Sequence, residues 1–232
     1  MILPVAIGGG AAVAAGIAAH GAFYRNSFVF GPALGRLPTR EPVVALTFDD
    51  GPNPDATPAI LDALETAGVH ATFFILGRHA ERWPALVRRV HSEGHAIGNH
   101  GYYHRKLHFK SPAYVRDDLA RGADAIAQAC GERPALFRAP HGFRSPWVNA
   151  IARAMGERVI GWSLGVWDSN RPGAEVIARR TVDGTRPGSI LLLHDGDGYD
   201  AMGDRTQTAA AVPLVLAELR ARNYQFVTVP SA

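Results

Sequence analysis

Three small groups of ionisable residues carry the chemistry of this 232-residue chain. Asp49 and Asp50 stand side by side in TFDDGP, where an apolar run meets a turn made by Gly51 and Pro52. Adjacent carboxylates repel, so both stay charged only beside a cation. Consecutive side chains also diverge, so one carboxylate can hold a metal while its neighbour faces a substrate; a plain solvated turn is the alternative. His100 and His104 have the i, i+4 spacing that puts two imidazoles on one face of a helical turn. With one carboxylate they form a two-His, one-carboxylate donor set that leaves positions open for water and substrate, which is catalytic rather than structural ligation. Zinc, cobalt, manganese and iron all suit such a set.

The third group is spread further along the chain. His194 follows the apolar run ILLL, and Asp195 follows it. A buried histidine bonded to backbone is one reading; the other is an acid whose protonated form is favoured by a carboxylate such as Asp168. Arg138 ends LFR before Ala139 and Pro140. An arginine leaving a buried strand cannot shed its charge and calls for a carboxylate partner, for which Asp49 is the candidate. His70, His79, His91 and His95 are assigned to surfaces or packing, and His108 to a loop.

These residues need a scaffold that brings them to one rim. From Pro42 onward, short β-rich apolar runs alternate with stretches of helical period, the pattern of βα units around a parallel sheet. Strands are predicted at Val43–Phe48, Ala71–Leu76, Ala96–Asn99, Leu136–Ala139, Val159–Leu164, Ile190–Leu193 and Gln225–Val229. Helices are predicted at Pro58–Ala67, His79–Ser92, Pro112–Cys130, Pro146–Met155, Ala174–Thr181 and Thr206–Arg222. Thr57, Ser111 and Ser145, each before a proline, read as N-caps; Gly68, Gly94, Gly131 and Gly156 read as C-terminal stops. A barrel one strand short of eight and an open doubly wound sheet both fit. Both place chemistry at the carboxyl ends of the strands, where Asp49, Asp50, His100, His104, Arg138, Asp168 and His194 fall.

Composition narrows the setting. The length suits one domain. A net charge of +3 argues for no nucleic-acid partner, and a single cysteine, Cys130, excludes an internal disulfide or a cysteine metal cluster. Residues 2–19 are uncharged and apolar but rich in Gly and Ala. They are read as a membrane anchor within residues 1–22, with a small-residue helix or disordered tail as the alternative, followed by an irregular linker over 23–41 and the catalytic domain over 42–232. Arg25, Arg36 and Arg40 after the run would keep the domain on the cytoplasmic side.

Five blocks in order, TFDDGP, NHGYYH, RAPHG, WSLGVWD and ILLLHD, resemble the polysaccharide deacetylase, or NodB-homology, family of metal-dependent carbohydrate esterases (carbohydrate esterase family 4) over about residues 42–229. The resemblance implies an α/β fold, a distorted (β/α) barrel of seven or eight parallel strands. It implies that Asp49 is the general base, that Asp50, His100 and His104 hold a divalent metal, most simply Zn2+, and that Arg138 orients Asp49. His194 would be the general acid, partnered by Asp168. Pro140, His141, Gly142, Trp167 and Leu192 would contact substrate, with a backbone N–H near His141 facing the oxyanion. Three positions depart from the family pattern: Gly101 replaces a hydroxyl residue, His141 replaces Tyr or Phe, and Ser169 follows Asp168 where Trp is usual.

The expected reaction is removal of an N-acetyl or related acyl group from an amino sugar. The sugar would belong to a polysaccharide, a peptidoglycan- or chitin-like oligosaccharide or a lipid-linked saccharide at a bacterial cell envelope. A deformylase, a non-sugar amidase and a catalytically silent glycan-binding barrel are the alternatives.

Overall fold

The computed structural model describes residues 3–230, with side chains from residue 10 onward. Among the described residues eight parallel strands, each short, form one curled sheet: β1 Val43–Asp49, β2 Thr72–Ile75, β3 Ala96–Asn99, β4 Leu136–Phe137, β5 Arg158–Val159, β6 Leu164–Gly165, β7 Ile190–His194 and β8 Gln225–Phe226. The order is β5-β4-β3-β2-β1-β7-β6, with β8 beside the start of β1. Within the same described residues eight α-helices accompany them: α1 Leu3–Phe23, α2 Ala56–Ala67, α3 Gly77–Arg82, α4 Pro84–Ser92, α5 Pro112–Cys130, α6 Val148–Ala154, α7 Ala174–Gly184 and α8 Thr206–Ala221. This is the distorted (β/α) barrel, and it excludes the open doubly wound sheet.

The period-2 alternation of a strand decides what faces inward. In β1, Leu46 and Phe48 join the outer apolar layer beneath the helices, with Phe73 of β2 and Leu191 and Leu193 of β7. Ala45 faces the other way, into the barrel, against Phe74, Leu136, Ile160 and Ile190. Thr47 and Asp49 therefore also point inward. The register sets Thr47 beside Leu192 and Asp49 beside His194, so two strands deliver a carboxylate and an imidazole at one height.

Two predicted elements divide. The run Val159–Leu164 is not one strand but β5 and β6, at opposite ends of the sheet order. Between them the chain pairs with the amino-terminal segment instead: Leu34 bridges Ile160, and the Gly161 amide donates to Leu34 O at 2.9 Å. Arg36 bridges Ser189 just ahead of β7. The stretch expected to be an irregular linker thus fills the seam between β5 and β6. The predicted helix His79–Ser92 breaks at Trp83, because Pro84 cannot continue a helix and instead starts α4.

Capping is mixed. Ser111 accepts from the Tyr114 amide at 3.2 Å, and Gly68 and Gly131 take left-handed C-terminal positions. Thr57 lies inside α2, whose first amides are met by Asn53 Oδ1, and the Ser145 hydroxyl caps nothing. The span expected over residues 2–19 gains no support. Among the described residues no helix is long and apolar enough to cross a membrane, and residues 2–9 fall outside the described side chains. Helix α1 is exposed from Gly10 to His20, including Val13 and Ile17. Its end is held down by the fully buried Arg144, whose amide donates to Ala22 O and whose guanidinium donates to Ser27 O.

Candidate active site

Asp50, His100 and His104 converge. Asp50 Oδ1 lies 3.3 Å from His100 Nε2 and 3.1 Å from His104 Nε2, and all three side chains are buried. His100 Nδ1 donates to Arg138 O at 2.8 Å, so the lone pair of its Nε2 faces Asp50. Asp50 Oδ1 has no hydrogen-bond partner despite complete burial. His104 Nδ1 is likewise buried without a partner, and one ligand atom from each of the three residues falls within 4.8 Å of the others, a donor set that a bound cation would satisfy. Burial pushes the Asp50 carboxyl up, but the two imidazoles outweigh it and hold it well below the usual carboxylate range. A nearby residue that sequence reasoning left in packing contributes too: buried His79 sets Nδ1 2.8 Å from Asp50 O and fixes the turn.

Asp49 sits on one side of this cluster. Its Oδ1 accepts from Arg138 Nη1 at 2.6 Å, and the same nitrogen donates to Thr47 Oγ1 at 2.7 Å. Arg138 Nη2 donates to Gly161 O at 2.9 Å, and the guanidinium lies over the Phe74 ring at 4.0 Å. Arg138 is fully buried, which Asp49 compensates by charge. Asp49 Oδ2, 3.8 Å from His100 Nε2, is the oxygen Arg138 does not take.

His194 sits on the other side. Asp168 accepts twice from it, from Nδ1 at 2.9 Å and from the backbone N–H at 2.8 Å, and also takes the Thr208 hydroxyl at 3.0 Å. Burial lowers the affinity of His194 for its proton, yet Asp168 outweighs that and raises its pKa to about 9. With Nδ1 committed to Asp168, Nε2 is the nitrogen left for the cavity.

A cavity of about 710 Å³ opens over these groups. Its wall includes His141, Trp167 and Leu192, three of the five predicted substrate contacts; Pro140 and Gly142 are buried and shape the tight turn that presents His141. His141 is exposed on the rim, its Nε2 is 2.9 Å from the Tyr199 hydroxyl, and partial desolvation by the cavity wall together with neighbouring His104 lowers its pKa to about 4. Trp167 is 71% exposed, so the aromatic wall at Asp168 is supplied by the preceding residue rather than the following one.

Other site residues gave weaker signals. Asn99 ends β3 and holds the ligand turn: its Oδ1 accepts from the Gly101 amide, and its Nδ2 donates to Leu119 O and to Glu157 Oε1. A polar residue closing an apolar strand one position before His100 could have been singled out by the rule that found Asp49. Gly101 has φ +76°, and a Cβ there would lie 2.4 Å from Asp118 Oδ2. A buried carboxylate from α5 therefore occupies the space that a hydroxyl side chain would need. Phe23, Arg25 and Tyr199 also line the cavity, from segments with no motif.

The fold and these groups define a barrel hydrolase with a candidate Asp-His-His metal site flanked by a buried carboxylate and an imidazole. The model of the polysaccharide deacetylase family matches residues 36–160, and the chain belongs to that family. It is 38% identical over 198 residues to a peptidoglycan-N-acetylglucosamine deacetylase of Bacillus cereus, covering 83% of this chain and 89% of the relative. It is 34% identical over 202 residues to a chitooligosaccharide deacetylase of Azorhizobium caulinodans, covering 84% and 96%. A crystal structure of a peptidoglycan N-acetylglucosamine deacetylase in complex with a naphthalenyl N-oxidanyl-benzamide superimposes with a TM-score of 0.80 at 32% identity, covering 86% of this chain and 91% of that one.

Proposed function

We propose that this protein is a metal-dependent deacetylase that removes the N-acetyl group of an amino sugar in a cell-envelope glycan. The observation that carries the reading is the placement of the Asp50-His100-His104 cluster between two differently poised groups, Asp49 locked by Arg138 and His194 backed by Asp168. Asp50, His100 and His104 would hold the ion; their donor set suits Zn2+ first, with Co2+, Mn2+ and Fe2+ as alternatives. Such an ion supplies positive charge that polarises a carbonyl and acidifies water.

The chain supplies the proton transfers. Water attacks the amide carbonyl carbon as Asp49 Oδ2 accepts its proton; Arg138 keeps Oδ1 engaged and the carboxylate aimed. The Gly142 and Phe143 amides are taken up by Ala139 O and Pro140 O, which leaves the His141 amide as the donor of that turn for the developing oxyanion. His194 Nε2 then protonates the nitrogen as the C–N bond breaks, releasing acetate and the free amine. An amine leaves poorly unless protonated, so an imidazole kept charged by Asp168 meets a chemical need.

The relatives' names favour peptidoglycan- or chitin-like glycans over a lipid-linked saccharide. The location proposed is the bacterial cell envelope; the exposed Val13 and Ile17 of α1 favour a helix resting against a surface, and cell fractionation with and without residues 1–19 tests it. The reaction is tested by incubating metal-replete protein with N-acetylglucosamine oligomers and measuring acetate. Release that chelation abolishes and the added ion restores is the expected result. Formate release from formylated sugars instead, or turnover insensitive to chelation, would overturn it.

A further inference from the structure

Among the described residues, one arginine of the cavity wall has no anion beside it. The cavity's carboxylates lie beside other partners: Asp49 pairs with Arg138, Asp168 with His194 and Asp197 with Arg205 at 2.7 Å, while Asp50 faces the two imidazoles. Arg205 is thereby neutralised, and it also donates to Gly196 O. Arg25 is different. Its Nε donates to Trp162 O at 3.0 Å and its guanidinium lies 5.1 Å from the centre of the Trp162 ring, but its two terminal nitrogens meet no acceptor among the described residues.

The position is built rather than incidental. Asn26 Nδ2 donates to the same Trp162 O at 2.9 Å, so two consecutive residues clamp one carbonyl. On the other side Arg25 packs on the turn that presents His141: a Cβ on Gly142 would lie 2.7 Å from Arg25 Cβ and 2.8 Å from the Trp162 ring. Trp162 in turn has the Arg138 guanidinium 5.7 Å from its ring centre. Arg25 therefore stands one indole away from the arginine that locks Asp49, on the wall of the same cavity. It comes from ahead of the stretch that the family model matches, and the seam contacts of Leu34 and Arg36 hold its segment against the barrel.

We propose that Arg25 is a specificity-determining residue that selects amino-sugar substrates bearing an oxyanion next to the reacting N-acetyl group. The proposal rests on the deacetylase reading above and names its substrate class. A guanidinium with two free terminal nitrogens presents a planar fork to a carboxylate or phosphate and binds either through two parallel, charge-assisted hydrogen bonds. A neutral chitin-type oligomer offers it only hydroxyls and amides. The anion is a carboxylate on the neighbouring sugar of an acidic glycan, or a phosphate on the sugar itself. These share one recognition chemistry and are separated by the test.

The experiment compares three substrates in metal-replete enzyme: neutral N-acetylglucosamine oligomers, oligomers in which the neighbouring sugar carries a lactyl carboxylate, and N-acetylglucosamine 1-phosphate. The expected result is a kcat/KM higher by about ten- to hundredfold for one of the anionic substrates, carried mainly by KM and shrinking with added salt. Arg25→Gln is expected to bring the anionic-to-neutral ratio to near one, Arg25→Lys to retain part of it, and Arg25→Glu to invert it. The ratio is internal to each variant, so a partly misfolded preparation does not distort it. Calorimetric binding of the same ligands reads the preference without turnover. Whichever anion is preferred identifies the source. Equal efficiency and equal affinity for neutral and anionic substrates in the wild type, or a preference that Arg25→Gln keeps, would refute the proposal. Absence of acetate from every substrate, with the binding preference intact, would refute the deacetylase reading alone.

Discussion

Replacing Asp168 by asparagine tests the division of labour in the site. Asp168 accepts from His194 through both oxygens, Nδ1–H at one and the backbone N–H at the other, with the Thr208 hydroxyl as a third donor. Asparagine has one acceptor oxygen and no charge, so it can serve only one of those positions. His194 is raised from 6.5 to about 9, mainly by Asp168 against the opposing effect of burial. Returning it to its ordinary value removes roughly 3 kcal/mol of preference for the protonated form. At about pH 7.5 the acid form falls from nearly complete to about a tenth, while near pH 6 it remains mostly present. The variant should therefore lose about tenfold in kcat/KM at the higher pH beyond whatever it loses at the lower one. In the wild type the alkaline limb should begin below about 9, because a bound cation disfavours a second positive charge nearby. Acetate release measured from about pH 5.5 to 9.5 for both proteins decides the matter. A loss of the same size at every pH, or an alkaline limb that does not move toward acid, would remove His194 from the role of proton donor.

Three further outcomes are expected. Asp49→Asn should keep stoichiometric metal by elemental analysis yet lose about 100- to 10,000-fold in turnover, whereas His104→Ala should lose the metal itself. Glu157 is raised by burial to about 8 while donating nothing to its orphaned Oε2 neighbourhood, so stability attributed to it is full below about 4.5 and declines as pH rises toward 8. Glu157→Gln, which keeps an acceptor for Asn99, should flatten that decline, by on the order of a few kcal/mol, in denaturation followed at several pH values. Gly101→Ser, which restores the family's usual hydroxyl, should destabilise the protein by about 1–3 kcal/mol, because the backbone is left-handed and Asp118 fills the space; calorimetric melting reads this directly.

Much of this site is local in sequence, which is why it can be read there. Asp49, Asp50, His100, His104 and His194 all sit where an apolar strand ends, and period-2 alternation in β1 suffices to aim Asp49 inward. The pairings of Arg138 with Asp49 and of Asp168 with His194 needed only the rule that a buried charge seeks its opposite. The missed features are those made by chain segments that meet only in three dimensions. Ile160 to Ser163 has the composition of a strand, but Ile160 and Gly161 meet Leu34, more than a hundred residues earlier, while Ser163 meets Ile190, and no periodicity encodes that choice. His79 looks like any helix histidine until the Asp50 carbonyl comes to rest beside it. Asp118 appears as one acid of an exposed-looking pair on α5, and only the packing of that helix against the ligand turn reveals its place.

Four residues around the cavity, Asp50, His104, His141 and Trp167, have left-handed backbones, with φ of 72°, 56°, 59° and 58°. Side chains larger than glycine resist that region by about 1–3 kcal/mol each. Where such backbones are ordered on folding, their strain is borne by the packing of the barrel around them. Holding this geometry draws on the stability of the whole barrel. Glycine at position 141 or 167 would relax the backbone while stripping the cavity wall, so in this chain thermal stability and an intact site pull in opposite directions at those two positions.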